Sequence, residues 1–99
     1  MQENPLKTME KLDPALMKLV EESRQLAFGE GALPRKFKLI IAMTLLAANN
    51  ADEGVKSLAR VAMQAGATKE EIIEALRVVQ YVGGVNGVFT AYLALQELF

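Results

Sequence analysis

The sequence contains no cysteine, no histidine and no tryptophan. Without cysteine it can form no disulfide, iron–sulfur cluster or thiolate zinc site, and it has no thiol nucleophile. Without histidine it lacks both the commonest metal ligand and the commonest general base near neutral pH. The carboxylates show no spacing typical of a hard-cation site, so we expect neither a metal ion nor a cofactor.

An excess of charge of one sign is also missing. The 11 basic and 12 acidic residues give a formal net charge of −1. Because nucleic-acid binding needs a clustered positive face, this balance argues against such a partner. The longest apolar run, residues 39–48, is too short to span a bilayer and suits a buried helix. Residues 1–13 are polar, unlike a signal peptide, and we expect a cytoplasmic protein without a membrane partner.

Start and stop signals divide the chain into five predicted helices and no strand. Asp13 is a good N-cap, and Pro14 takes the first helical position, where an N–H group has no helical partner anyway. Thr68 and Glu71 have the spacing of a capping box, which predicts another helix start. The predicted helices cover residues 14–27, 34–50, 52–66, 69–82 and 86–98.

One segment, residues 78–82, also suits a strand because it is rich in β-branched and aromatic side chains. The capping box before it and the glycine pair at residues 83–84 favour a helix. We therefore expect one all-α domain over residues 1–99, with its core in residues 34–98 and looser order in residues 1–12.

The last two predicted helices are apolar on more than one face. Apolar residues make up 52% of the sequence against 23% charged residues, a high share for so small a chain. A folded monomer of this mass exposes about 5,500 Å² and cannot bury helices that are apolar all round. We therefore expect the surplus surface to contact another chain, most simply in a symmetric homo-oligomer. The other interpretation is a compact monomer with a large exposed patch.

Three motifs together resemble a known family. Residues 64–77 read QAGATKEEIIEALR, residues 81–85 read YVGGV, and residues 33–36 read LPRK. At these intervals, over residues 34–98, the chain resembles the carboxymuconolactone decarboxylase family, which includes alkylhydroperoxidase D-like proteins. The resemblance implies that helical fold and a hexamer built as a trimer of dimers. It also implies that proteins of this kind are grouped with peroxiredoxin-type proteins.

The reactive residues of that family are missing here. Its redox branch carries Cys-x-x-Cys-x-x-x-His at the start of the helix that ends in the Gly-Ala-Thr turn. The matching positions are Ala51, Gly54 and Leu58, so thiol peroxidase activity has no nucleophile. A glutamate of the decarboxylase branch matches Glu53. Because Leu58 lies in the apolar stripe of its helix, we expect it to pack as plain core.

Three residues are candidates for catalysis. Glu53 is the candidate acid/base, and Lys56 would hold a substrate carboxylate. In the other interpretation, Asp52 and Glu53 only cap their helix, and Lys56 forms a surface ion pair with Glu53. Tyr81 is a candidate general acid beside the Gly-Gly turn, although a Tyr on an apolar helix usually packs its ring.

Basic residues at the start of the second predicted helix oppose its dipole. Glu21 and Glu22 are the expected compensating charges, and a small anion at the free N–H groups is the alternative. A ligand pocket between the second and third predicted helices would be lined by Lys36, Lys38, Asn50 and Leu58.

These observations favour a non-catalytic small-molecule binder or an oligomeric scaffold with a degenerate active site. The alternative is a decarboxylase or lactone-type enzyme that acts on a small carboxylate through Glu53. The missing histidine favours the binder, because a positioned acid–base group supplies roughly 10²- to 10⁴-fold in rate. The expected partners are copies of the same chain and a small anionic molecule.

Overall fold

The computed structural model describes residues 5–99, which form six α-helices and no strand. In chain order the helices are α1 (Pro5–Leu12), α2 (Pro14–Phe28), α3 (Arg35–Ala48), α4 (Asp52–Gln64), α5 (Lys69–Gly83) and α6 (Val85–Leu95). The predicted all-α class is confirmed. The strand alternative for residues 78–82 is wrong, because that segment continues α5 to its end.

The described residues form one helix more than the five predicted, and the additional helix is α1. Residues 1–4, part of the segment for which looser order was expected, lie outside the described residues. The rest of that segment forms α1, and no residue of this helix is buried. Pro5 at the first helical position is the start signal that the sequence contains. The N–H of Asp13 donates to the carbonyl oxygen of Met9 at 2.7 Å, so α1 leads directly into the N-cap of α2.

Two helix starts follow the predicted capping signals. The Asp13 carboxylate accepts the N–H of Leu16 at 3.0 Å. At the start of α5, the Thr68 hydroxyl accepts the N–H of Glu71 at 3.0 Å, and the Glu71 carboxylate accepts the N–H of Thr68 at 2.9 Å. Each contact satisfies a backbone donor that has no partner inside the helix.

The hydrophobic core lies among α3, α4, α5 and α6. Its largest fully buried side chains are Met43, Val55, Ile72, Leu76 and Leu95. Helix α3 packs against all three other core helices. Helix α6 approaches α3 so closely at Gly87 that a Cβ there would lie 2.8 Å from the carbonyl oxygen of Ala47. A glycine at this position therefore permits direct backbone contact between the two helices.

Helix α2 packs on this core through one side only. Its half-buried residues Met17, Val20 and Phe28 share one face, and the helix contacts α3. The opposite face exposes Leu19 and Leu26, and Leu26 is 86% exposed. Helix α2 is therefore apolar on two sides, and it contacts both α1 and α3.

A second exposed apolar surface is a groove between α3 and α5, which we call the α3–α5 groove. Its volume is about 370 Å³, and its lining includes Ile41, Leu45, Val78 and Val82. Val82 is 80% exposed. The chain exposes 7123 Å², well above the roughly 5,500 Å² of a folded monomer of this mass. Large apolar side chains such as Leu26, Val82 and Phe89 are exposed among residues 5–99, in keeping with the predicted surplus of apolar surface.

Residues 5–99 contain neither a membrane-spanning helix nor an acidic metal-binding cluster. None of the six helices has the length and apolar character needed to cross a membrane. The same residues contain no cluster of three or more acidic side chains that could hold a metal ion.

Candidate functional site

A cavity of about 430 Å³ opens where α2, α3 and α4 meet, and we call it the α2–α3–α4 cavity. Its lining residues are Arg24, Gln25, Phe28, Gly29, Arg35, Leu39, Leu58 and Val61. The volume falls in the range of roughly 300–1,000 Å³ that is typical of small-molecule sites. The cavity lies between α3 and α4, where the sequence predicted a pocket, and α2 forms its third wall.

Leu58 lines this cavity and lies at the edge of the core. Val55, Ala59 and Ala62 of the same helix are 0% exposed, whereas Leu58 is only half-buried. Because residues 55, 59 and 62 define the buried face of α4, position 58 lies at the edge of that face. Leu58 therefore packs against the core, as expected, and part of its side chain also faces the cavity.

The cavity carries positive charge. Of the described residues that line it, only Arg24 and Arg35 have an ionisable side chain. Arg24 Nη1 lies 3.4 Å from Glu21 Oε1 on the same helix, in an exposed contact. No carboxylate in residues 5–99 forms an ion pair with Arg35. A guanidinium stays protonated at neutral pH, so these side chains can bind an anion but cannot transfer a proton.

Lys36 is held by α5. Its Nζ donates to both carboxylate oxygens of Glu71, at 3.3 and 3.0 Å. The backbone N–H of Thr68 and the Lys36 ammonium together lower the pKa of Glu71. The expectation that Glu21 and Glu22 compensate the basic start of α3 is wrong for Lys36, because α5 packs against α3 and brings Glu71 to it.

Lys38 and Asn50 each form a hydrogen bond that joins two parts of the fold. Lys38 Nζ donates to the carbonyl oxygen of Gly29 at 2.7 Å, which joins α3 to the end of α2. Asn50, in the turn between α3 and α4, accepts a hydrogen bond from the Thr90 hydroxyl at 2.9 Å. Of the four predicted lining residues, Leu58 alone is among the described residues of the lining.

Comparisons with known proteins identify the family. The model of the carboxymuconolactone decarboxylase family matches residues 14–97. The chain belongs to this family. It is similar to the crystal structure of an apo carboxymuconolactone decarboxylase family protein from Legionella pneumophila, with 32% sequence identity and a TM-score of 0.84. That similarity covers 93% of this chain and 82% of the other. A comparison with the curated proteins finds no match.

In this family member, the three positions that the resemblance assigns to the redox motif lie at the start of α4. Ala51 precedes the helix, Gly54 is in its first turn, and Leu58 lines the α2–α3–α4 cavity. A Cβ at Gly54 would lie 2.8 Å from Cδ1 of Leu46, so a larger residue there would have to displace that side chain. None of the three side chains can exchange an electron or a proton.

Glu53 lies outside the cavity lining. It is exposed in the first turn of α4, and its N–H donates to Asp52 Oδ1 at 2.9 Å. Both carboxylates are at the positive end of the helix dipole, where negative charge is stabilising. The Asp52 carboxylate thus satisfies one N–H of the first turn, while the N-cap position, Ala51, has no side-chain cap. A role for Glu53 as the acid/base stays a prediction.

Lys56 forms an ion pair with Glu97. The hydrogen bond and charge of Lys56 lower the pKa of Glu97. Glu97 follows α6, which packs against α4, so tertiary packing brings this carboxylate to Lys56. The expected ion pair between Glu53 and Lys56 is therefore wrong.

Tyr81 is 88% exposed near the end of α5 and is not part of the cavity lining. The expectation that its ring packs within the chain is wrong, because α5 places position 81 on its outer side with exposed Val78 and Val82. The ring adds to the apolar surface beside the α3–α5 groove. Nothing in this placement brings its hydroxyl to the cavity.

The part that α2 plays in the cavity was not predicted from the sequence. Arg24 and Phe28 are four residues apart, so they lie on one face of α2 and reach the cavity together. The signal was present in the spacing of Met17, Val20 and Phe28, which marks an inner face distinct from the exposed leucines.

Proposed function

We propose that this family member is a non-catalytic, homo-oligomeric binder of a small anionic molecule, which it holds in the α2–α3–α4 cavity. The cavity beside Leu58 carries the proposal, because its charged lining consists of two guanidinium groups with no acid or base among the described residues. Apolar walls with a few placed polar groups are typical of small-molecule sites. The replacement of a reactive side chain by Leu58 leaves binding as the function that the cavity supports.

The alternative is a decarboxylase or lactone-type enzyme with Glu53 as its acid/base. That function needs Glu53 and a free basic residue beside a bound substrate. Glu53 is exposed outside the cavity lining, and Lys56 is already paired with Glu97. These contacts favour binding over catalysis.

A thermal-shift experiment with small carboxylates, their neutral amides and small lactones tests the binding proposal. A ligand of the folded state raises the unfolding midpoint, and we expect the carboxylates to do so. Val61→Phe fills the cavity and should remove the response. Met63→Phe is the matched control, because Met63 is exposed on the same helix. If no compound stabilises the wild-type chain, the proposal is wrong.

Turnover distinguishes the enzyme from the binder. Each compound that binds is incubated with the wild-type chain and with Glu53→Gln, and its conversion is followed by chromatography. The binder proposal predicts no conversion by either chain. Conversion by the wild type that disappears in Glu53→Gln, with binding retained, would establish the alternative.

Two apolar surfaces support the oligomer. They are the outer face of α2 and the α3–α5 groove, which lie on different helices. A standard interface covers about 800 Å² on each partner and has an apolar core, and both surfaces expose large apolar side chains. We propose that each surface contacts a different copy, as in the trimer of dimers that the family resemblance implies, in a cytoplasmic protein.

A further inference from the structure

We infer that the ligand of the α2–α3–α4 cavity is a monocarboxylate with a compact apolar body, whose carboxylate binds Arg35. This inference rests on the proposed function and names the chemical class that the cavity selects. Three observations support it: the number of arginines without a carboxylate partner, the planar geometry of the guanidinium group, and the apolar side chains in the rest of the lining.

The arginines of the cavity leave one positive charge that a ligand can neutralise. Arg24 already lies 3.4 Å from the carboxylate of Glu21, which offsets its charge. Arg35 has no carboxylate partner among the described residues. A monoanion therefore balances the one unpaired guanidinium. Inorganic phosphate carries more negative charge than this one guanidinium offsets.

The guanidinium geometry favours a carboxylate. Its planar fork of N–H donors matches the two oxygens of a carboxylate in a bidentate contact. A lysine would act only as a point charge, and the two lysines near the start of α3 are already engaged, Lys36 by Glu71 and Lys38 by the carbonyl oxygen of Gly29.

The apolar part of the lining favours an apolar body on the ligand. Phe28, Leu39, Leu58 and Val61 are the apolar side chains of the lining, and Leu39 is buried. They offer an inorganic anion no favourable contact, whereas an aliphatic or aromatic ring buries its surface against them. The Phe28 ring can stack on a flat ligand. The volume of about 430 Å³ leaves room for a single ring and its carboxylate.

Isothermal titration of the full chain tests this inference with three probes: benzoate, its neutral isostere benzamide, and inorganic phosphate. We expect benzoate to bind the wild type about tenfold or more tightly than benzamide, because a charged hydrogen bond is stronger than a neutral one. We expect phosphate to bind most weakly. Arg35→Gln should reduce the affinity for benzoate to that for benzamide and leave benzamide binding unchanged.

Arg60→Gln is the matched control, since Arg60 is an exposed arginine of α4 outside the cavity lining. It should leave all three affinities as in the wild type. Urea unfolding of each variant establishes that it is folded. Because Arg35 is itself exposed, we expect its replacement to be tolerated.

The outcomes separate this inference from the proposed function. Equal binding of benzoate and benzamide, or an Arg35→Gln variant with full preference for benzoate, would overturn the carboxylate assignment and leave a small-molecule binder. Phosphate that binds as tightly as benzoate would overturn it as well, in favour of an inorganic anion. If none of the three probes binds, both this inference and the proposed cavity function are wrong.

Discussion

Lys36 of α3 donates to both carboxylate oxygens of Glu71 at the start of α5, at 3.3 and 3.0 Å. The same carboxylate accepts the N–H of Thr68 at 2.9 Å and closes the capping box of α5. The Glu71 side chain therefore caps α5 and also joins α5 to α3. Its ionisation affects both contacts.

The Glu71 contacts predict a pH dependence of stability. The N–H of Thr68 and the Lys36 ammonium lower the pKa of Glu71 below its ordinary 4.5, so the unfolded chain binds this proton more readily. The stabilisation is complete above that ordinary value and is lost as the pH falls through the lower folded-state pKa. We expect Glu71→Gln to be less stable than the wild type at about pH 7, with a difference that shrinks as the pH falls. Urea unfolding midpoints across this pH range measure it.

Glu70→Gln is the control for this experiment. It removes the same charge one residue earlier, from an exposed side chain that does not contact Lys36. Its stability relative to the wild type should change less with pH. The assignment would be refuted by an identical pH response of the two variants.

The close contact of α6 with α3 predicts that Gly87→Ala is destabilising. A Cβ at this position would lie 2.8 Å from the carbonyl oxygen of Ala47 and 3.2 Å from Cα of Ala48, which are backbone atoms. Overpacking of this kind costs about 1–3 kcal/mol, against a gain in helix propensity of up to about 1 kcal/mol. We expect a net loss in the free energy of unfolding, measured by urea denaturation.

Gly83→Ala is the matched substitution on α5. Its Cβ would lie 3.9 Å from the Cβ of Ala48, an ordinary van der Waals distance. We expect little change, or a gain of up to about 1 kcal/mol from helix propensity. If Gly87→Ala were as stable as Gly83→Ala, the two helices could not pack as closely as described.

The exposed apolar surfaces predict an oligomer in solution. Size-exclusion chromatography with light scattering should give a mass that is a multiple of 10.8 kDa at micromolar concentration. Val82→Glu places a charge on the α3–α5 groove and should lower that mass, because burying an unpaired charge is unfavourable. Gln80→Glu, at an exposed position of the same helix, is the control. A wild-type species of 10.8 kDa would rule the oligomer out.

The composition predicts no thiol peroxidase activity. The chain has no cysteine, and Ala51 and Gly54 occupy the positions that the family resemblance assigns to the redox pair. We expect no consumption of peroxide above background with a dithiol reductant, because no thiolate is present to attack the peroxide. The prediction fails if activity persists at constant specific activity through repurification.

Local signals in the sequence were sufficient for the class of the fold and for most helix boundaries. The Asp13 cap and the Thr68–Glu71 capping box act over three residues, so the sequence shows both partners side by side. Helix α1 was not predicted, although the sequence has Asn4 and Pro5 in the same N-cap and proline pattern as Asp13 and Pro14. The family was also visible in local motifs, chiefly in residues 64–77.

The sequence by itself determined that this protein is helical, that it has no thiol or imidazole chemistry, and that its apolar surface exceeds what one chain can bury. Only the tertiary structure decided which side chains meet: Arg24 and Arg35 around Leu58, and Glu97 on Lys56. The physical reason is distance along the chain. Helix periodicity determines the face on which a residue lies, but the partner of that face depends on how the helices pack. Exposed ion pairs are worth only about 0–1 kcal/mol, too little to leave a pattern in the sequence.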